Sequence, residues 1–139
     1  MKQRQEQLRI DTRGPGFLEI TGLVQAVVSR SGIAEGLATI FVQHTSCSLC
    51  IQENADPSAR HDMEQWLAKI APENDPAYTH TSEGPDDMPS HLRSMVTKTS
   101  ETIPVRHGKL ATGTWQGLYL CEHRRRNHQR FVIVHILGT

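Results

Sequence analysis

Eight histidines in a chain of 139 residues raise the prospect of a metal or acid/base site, because imidazole is the commonest metal ligand and titrates near neutral pH. Their number does not locate a site. The stretch Thr39-Ile-Phe-Val-Gln-His-Thr-Ser-Cys-Ser-Leu-Cys-Ile-Gln-Glu-Asn-Ala-Asp-Pro57 runs from one apolar alternation into His44, Thr45 and Ser46, then through a second that ends in Glu53, Asn54 and Asp56. Strand ends and the loops after them are where a rigid scaffold presents polar side chains to a ligand. The same Thr, Ser, Asn and Asp residues would also serve as turn and cap formers. A second concentration lies in Glu73 to Pro89, where Tyr78, His80, Glu83, Asp86 and Asp87 offer hard and borderline ligands and Gly84-Pro85 marks a turn. An aperiodic stretch of that length inside a domain is usually functional or disordered. His91 follows in the expected first turn of a helix, whose positive end favours a neutral, ligating imidazole.

Cys47 and Cys50 have redox or zinc spacing, but on a strand positions three apart point to opposite faces. A C-x-x-C function is therefore not expected. Three cysteines also do not make a disulfide framework. Fifteen basic and fifteen acidic residues cancel, which removes the field that non-specific nucleic-acid binding needs. Arg124-Arg-Arg126 is the local exception, a solvated turn or a phosphate site. There is no P-loop, G-x-G-x-x-G fingerprint or G-x-S-x-G. The first residues carry charge without an apolar h-region and no apolar run reaches membrane length, so no span is expected and the cytoplasm is the default.

The elements that must position these groups follow from periodicity. Gln5 to Thr12 reads as a strand, Arg13-Gly-Pro-Gly16 as a turn, and Phe17 to Ile20 as a short apolar strand. Thr21 is expected to cap a helix with Leu23, Val24, Val27 and Val28 on its buried stripe, stopped by Ser31-Gly32. Strands Leu37 to His44 and Cys47 to Glu53 come next. Asp56 as N-cap and Pro57 at the first helical position start a helix over Ser58 to Ala71, with Met63, Trp66, Leu67 and Ile70 buried. His61 and Asp62 flank that stripe at a solvated edge. Pro89-Ser90 opens a further helix to about Ser100, with Leu92, Met95 and Val96 as its core stripe. Thr102 to Val105, the turn Arg106-His-Gly-Lys109 and the strand from Leu110 form a hairpin. Gly113 to His123 alternates clearly, with Trp115, Gly117, Tyr119, Cys121 and His123 on one face and Gln116, Leu118, Leu120 and Glu122 on the other. In the closing strand, Phe131 to Leu137, His135 reads as a core histidine.

Four stretches taken together, His44-Thr-Ser-Cys-Ser-Leu, Glu53-Asn-Ala-Asp-Pro57, Glu83-Gly-Pro-Asp-Asp-Met-Pro-Ser-His91 and Gly113-Thr-Trp-Gln-Gly-Leu-Tyr-Leu-Cys-Glu-His-Arg124, resemble the YjbQ family, in order and over nearly the whole chain. The resemblance implies one α+β domain over residues 1–139: a β-sandwich-like, mixed and largely antiparallel sheet with about three helices, assembled as a homotrimer with sites near subunit boundaries. It also implies a metal held by His44, His91 and His123. The family carries the name secondary thiamine-phosphate synthase, for a weak ability to join a pyrimidine diphosphate to a thiazole phosphate, and its principal reaction is open.

Three neutral imidazoles with an open position describe a zinc-like centre that would bring the pKa of a bound water to about 7. Diphosphate chemistry instead calls for Mg2+ and basic side chains. Glu122 or Asp87 is then expected as acid/base or supporting partner, and Arg124 on the phosphate of a small phosphorylated metabolite. The other reading is a trimeric metal- or metabolite-binding protein without chemistry of its own.

Overall fold

A computed structural model describes residues 1–139. Its first strand, β1 (Lys2–Arg13), lies antiparallel to the last, β8 (Asn127–Gly138), over the full length of both. On β8 also pairs β3 (Glu35–Val42), which is followed outward by β5 (Ser100–Arg106) and the short β6 (Lys109–Leu110), giving a five-stranded sheet. A three-stranded sheet is made of β2 (Gly16–Glu19), β7 (Gln116–Glu122) and β4 (Cys47–Glu53), with β7 in the middle. Every pairing is antiparallel.

Alternation decides which side chains fill the space between the sheets. Ile10, Ala38, Ile40, Val42, Val132, Val134 and Ile136 from one sheet join Cys47, Leu49, Leu118 and Leu120 from the other in a single buried cluster. Helix α1 (Thr21–Ser31) adds Val24, Val27 and Val28, while Leu23 stays half exposed. Thr21 does not cap this helix. Its hydroxyl donates to Glu19 Oε2 at 2.8 Å and accepts the Leu118 N–H at 2.9 Å, tying the helix start to β7. Gly32 ends α1 with φ 67°, a conformation that glycine adopts without a Cβ penalty. Gly36 lies inside β3 rather than before it, opposite Gly138, and a Cβ on it would collide with the Leu137 carbonyl.

The other two helices invert the expected patterns. Helix α2 (Pro57–Ile70) begins as its residues dictate, with the Asp56 carboxylate accepting the Ser58 N–H at 2.9 Å and Pro57 following. Of its expected stripe only Leu67 is buried; Trp66 is 62% and Ile70 44% exposed. Helix α3 (Asp87–Val96) starts three residues earlier than Ser90 and buries Asp87, Pro89 and Ser90, leaving Met95 and Val96 exposed. Polar groups face the sheet because the sheet presents polar groups there: Ser94 Oγ donates to the Cys47 carbonyl at 3.5 Å and Thr97 Oγ1 to Ser48 Oγ at 2.5 Å. His135 likewise differs from expectation. The core face of β8 is Val132, Val134 and Ile136, so His135 lies on the outer face, where Nδ1 meets Gln5 Oε1 at 3.1 Å.

Candidate functional site

The segment before α3 folds back so that four ligand atoms, one each from His80, Glu83, Asp87 and His91, lie within 4.8 Å of one another. Gly84, at φ 100°, makes the bend that returns Glu83 toward the helix start. Asp87 and His91 are four residues apart on α3, so they share one face. His80 Nε2 is 2.8 Å and His91 Nε2 3.1 Å from Asp87 Oδ2, and His80 Nε2 is 3.5 Å from Glu83 Oε2. Ligands held at about 2.0–2.1 Å in a tetrahedron stand about 3.3 Å apart, so these separations match the edges of a coordination sphere.

Protonation sharpens the reading. His91 Nδ1 is 2.9 Å from the Thr45 carbonyl, which can only accept, so Nδ1 carries the hydrogen. In the neutral ring Nε2 then points a lone pair at an Asp87 oxygen. That contact is favourable only with a cation between the two atoms, either a second proton or a metal ion. The Thr45 carbonyl is also the kind of outer partner that orients a metal-bound histidine.

Behind the cluster sits Arg124. Its Nη1 donates to Asp87 Oδ1, its Nε to Asp86 Oδ2 at 3.1 Å and its Nη2 to the Glu83 carbonyl at 3.0 Å. Burial pushes the Asp87 carboxyl up, but its contacts with Glu83, His80, His91 and Arg124 outweigh that and leave it below the usual carboxylate range. Asp86 is raised by burial and lowered by more through the Arg125 N–H and Arg124. Arg124 is thus no solvated turn residue; only Arg125 and Arg126 are exposed. An open cavity of about 660 Å³ adjoins the cluster, lined mostly by polar and charged residues, Glu83, Asp86 and Arg124 to Arg126 among them.

The family description "UPF0047 protein YjbQ-like" matches residues 6–139. This chain belongs to the YjbQ-like UPF0047 family. It is similar to UPF0047 protein sll1880 of Synechocystis, with 53% identity over 99% of this chain and 93% of that one, and to YjbQ of Escherichia coli O157:H7, with 39% identity over 96% and 97%. Among solved structures it is similar to a protein of unknown function from Sulfolobus solfataricus (TM-score 0.87, 25% identity, 99% of both chains). A conserved hypothetical protein from Thermus thermophilus is also similar, with TM-score 0.85 and 35% identity over 95% of this chain and 99% of that one. These two solved structures share the α+β fold, and the Sulfolobus protein is described as being of unknown function.

Of the three histidines that the family resemblance singles out, only His91 stands in the four-residue cluster of this chain. His44 Nε2 accepts the Phe131 N–H at 2.8 Å, and the His44 ring stacks on that of Phe131 with centroids 6.1 Å apart. His123 is buried, its Nε2 2.9 Å from Ser48 Oγ, and burial pushes its pKa down to about 4. It is a neutral ring across physiological pH.

Glu122 lies at the inner end of β7 rather than beside the cluster. Its oxygens accept from Thr12 Oγ1 at 2.5 Å, Arg130 Nε at 2.7 Å, Arg130 Nη2 at 2.5 Å, and the N–H groups of His123 at 3.0 Å and Arg124 at 3.1 Å. Burial raises its pKa and these donors more than offset that, so it stays ionised. It thereby holds the strand end that carries His123 and Arg124. Arg130 and Thr97 give no advance signal, and Ser48, though inside the stretch 44–49, is placed only when the register of β4 against β7 sets it beside Cys121. Cys47 and Cys50 do face opposite ways; Cys50 Sγ instead comes within 3.5 Å of Cys121 Sγ.

Proposed function

We propose that this YjbQ-like protein is a metal-dependent enzyme for a small phosphorylated molecule, with a divalent cation held by His80, Glu83, Asp87 and His91. The supporting observation is the set of two imidazoles and two carboxylates at coordination spacing, with His91 Nε2 3.1 Å from Asp87 Oδ2 while its Nδ1 is committed to the Thr45 carbonyl. Mixed nitrogen and carboxylate donors suit zinc and its neighbours better than Mg2+, which prefers an oxygen shell. When bound, the ion would supply Lewis-acid polarisation of a phosphoryl oxygen or a bound water of lowered pKa. The chain's own residues do the rest. Arg124 keeps Asp87 ionised and oriented, Thr45 fixes the His91 tautomer, and exposed Arg126 faces the polar cavity in which a phosphate would lie.

The weak thiamine-phosphate synthase activity implied by the family name fits this reading, since it needs a diphosphate leaving group neutralised beside a cation. The test is metal content per chain, by elemental analysis of tag-free protein, for the native chain and for His80→Ala, Asp87→Asn, His91→Ala, His44→Ala and His123→Ala. About one ion per chain, lost in the first three variants and kept in the last two, supports the cluster. Loss in His44→Ala and His123→Ala instead would transfer the metal to the three-histidine set that the resemblance implies. A metal-free native chain, with no thiamine phosphate formed after zinc or magnesium is added, sinks the enzyme reading.

A binding protein without chemistry is the second reading, assembled as the homotrimer that the resemblance implies. It is favoured by the outer face of the five-stranded sheet, where Leu37, Phe41 and Leu137 are 51%, 46% and 43% exposed around Phe131 and Ile133. Tight stoichiometric metal with no turnover on any phosphorylated substrate would select it.

A further inference from the structure

On the other side of α3 from the metal cluster, a cavity of about 310 Å³ opens between β2, α2 and the end of β7. Its lining includes Phe17, Glu64, Glu73, Arg93 and His123, and none of its residues belongs to the cluster. Arg93 is the residue that the protein leaves unbalanced there. Its Nη2 donates to the neutral Ala71 carbonyl at 2.8 Å, while its Nε is buried with no partner at all. Neighbouring arginines are treated differently, Arg125 being paired with Glu73. Arg130 is paired with Glu122 and Arg124 with Asp86 and Asp87. The half-buried Arg93 guanidinium has no carboxylate in salt-bridge contact, and a partly desolvated cation without a contacting counter-ion is costly.

None of the cavity's three carboxylates, Glu64, Glu73 and Glu122, is in salt-bridge contact with Arg93, and Glu122 is paired with Arg130. Glu64 Oε2 accepts the Phe17 N–H at 3.1 Å, and Glu73 is paired with Arg125. His123 adds a neutral ring whose Nε2 is occupied by Ser48, leaving Nδ1 as its remaining nitrogen. The cavity thus brings a cation and an imidazole together with the carboxylates of Glu64 and Glu73, while that of Glu122 is committed to Arg130.

We infer that this cavity is a second binding site, for a small oxyanion, phosphate or carboxylate, seated on Arg93 beside His123, on a molecule whose other end carries hydrogen-bond donors toward Glu64 and Glu73. A planar guanidinium fork is the natural receptor for such an anion. The carboxylates in the lining discriminate against ligands that are anionic at both ends. The site stands on its own residues and needs no metal in the neighbouring cluster.

The experiment uses full-length protein stripped of divalent metal by a chelator and then dialysed, so that binding at the metal cluster does not contribute. Inorganic phosphate, acetate and phosphoethanolamine are titrated separately, and the Arg93 Nε–H and His123 ring signals are followed by NMR. Phosphoethanolamine, with an anion at one end and an ammonium at the other, is expected to shift both residues and to bind at least about tenfold more tightly than inorganic phosphate. Acetate binding more tightly than phosphate would assign the anion as a carboxylate, within the same proposal. Arg93→Gln is expected to weaken binding by at least about tenfold, and Arg9→Gln, at an exposed arginine of β1, to leave it unchanged. Should Arg93→Gln fail to fold, Arg93→Lys, which keeps the charge and loses the fork, is expected to weaken binding severalfold. Absence of shifts at Arg93 and His123 up to about 10 mM of each probe, or undiminished affinity in the folded Arg93 variant, overturns the site.

Discussion

Asp87 divides its two oxygens between opposite tasks: Oδ1 accepts from Arg124, and Oδ2 faces the Nε2 atoms of His80 and His91. Arg124 therefore acts on the proposed metal through Asp87 without touching it. Outer partners of this kind typically carry 10- to 100-fold in metal affinity. Arg124→Gln is expected to weaken zinc affinity by roughly that factor, against a larger loss for Asp87→Asn. Competition with a chromophoric chelator measures both. Equal affinities for native protein and Arg124→Gln would leave the arginine with a folding role alone.

His123 predicts how stability depends on pH. Burial lowers its pKa from the ordinary 6.5 to about 4, so between those values the unfolded chain binds a proton that the folded chain refuses. Stability from this group is complete above pH 6.5 and falls as pH drops toward 4, by about 3 kcal/mol in all. Urea denaturation of native protein and His123→Asn from pH 7 to 4 checks it. The native curve should lose stability over this window by that much more than the variant's. Parallel curves would mean that the ring titrates normally.

Much of this site can be read from residue order, and the remainder depends on distant pairing. The Asp56-Pro57 helix start, the alternation of β7 and the aperiodic 73–89 segment with His80, Glu83 and Asp87 are local signals, and each corresponds to an observed feature. The stripes of α2 and α3 mislead because periodicity shows that a helix is amphipathic and not which side is covered. On α3 the buried side is the polar one, since Ser48 and the Cys47 carbonyl wait on the sheet opposite it and the Thr45 carbonyl in the loop before β4. Likewise, nothing in the spacing says that Glu122 meets Arg130, because that contact is set where β7 turns into β8 between two sheets.

The Glu122–Arg130 pair is buried on both sides, with side chains 2% and 3% exposed. Removing one partner of such a pair usually costs about 3–5 kcal/mol, so Arg130→Met is expected to destabilise by that amount in chemical denaturation. Replacing both partners with apolar residues is often neutral elsewhere, but here Glu122 also accepts the N–H groups of His123 and Arg124. The double variant Glu122→Leu/Arg130→Met is therefore expected to remain at least about 2 kcal/mol below native protein, because two backbone donors lose their acceptor. A double variant as stable as the native chain would show that the pair matters only as a pair of charges.

The outer face of the five-stranded sheet carries the last prediction. Leu37 and Leu137 are directly opposed across β3 and β8, as are Phe41 and Ile133, so the exposed apolar residues form a continuous ladder rather than scattered points. Glutamines of β1 border it: Gln7 pairs with Ile133 and Gln5 with His135. An apolar centre with a polar rim is the anatomy of a surface that associates. If this face joins copies in the proposed trimer, Phe41→Glu would place a carboxylate in the centre of each contact without entering the core, since Phe41 points away from Ile40 and Val42. Light scattering during size-exclusion chromatography should show the native chain at three times the 15.6 kDa monomer mass and Phe41→Glu shifted toward the monomer, with far-UV circular dichroism unchanged. A variant that keeps the native mass would remove this face from the interface and direct attention to the exposed Trp66 and Ile70 of α2.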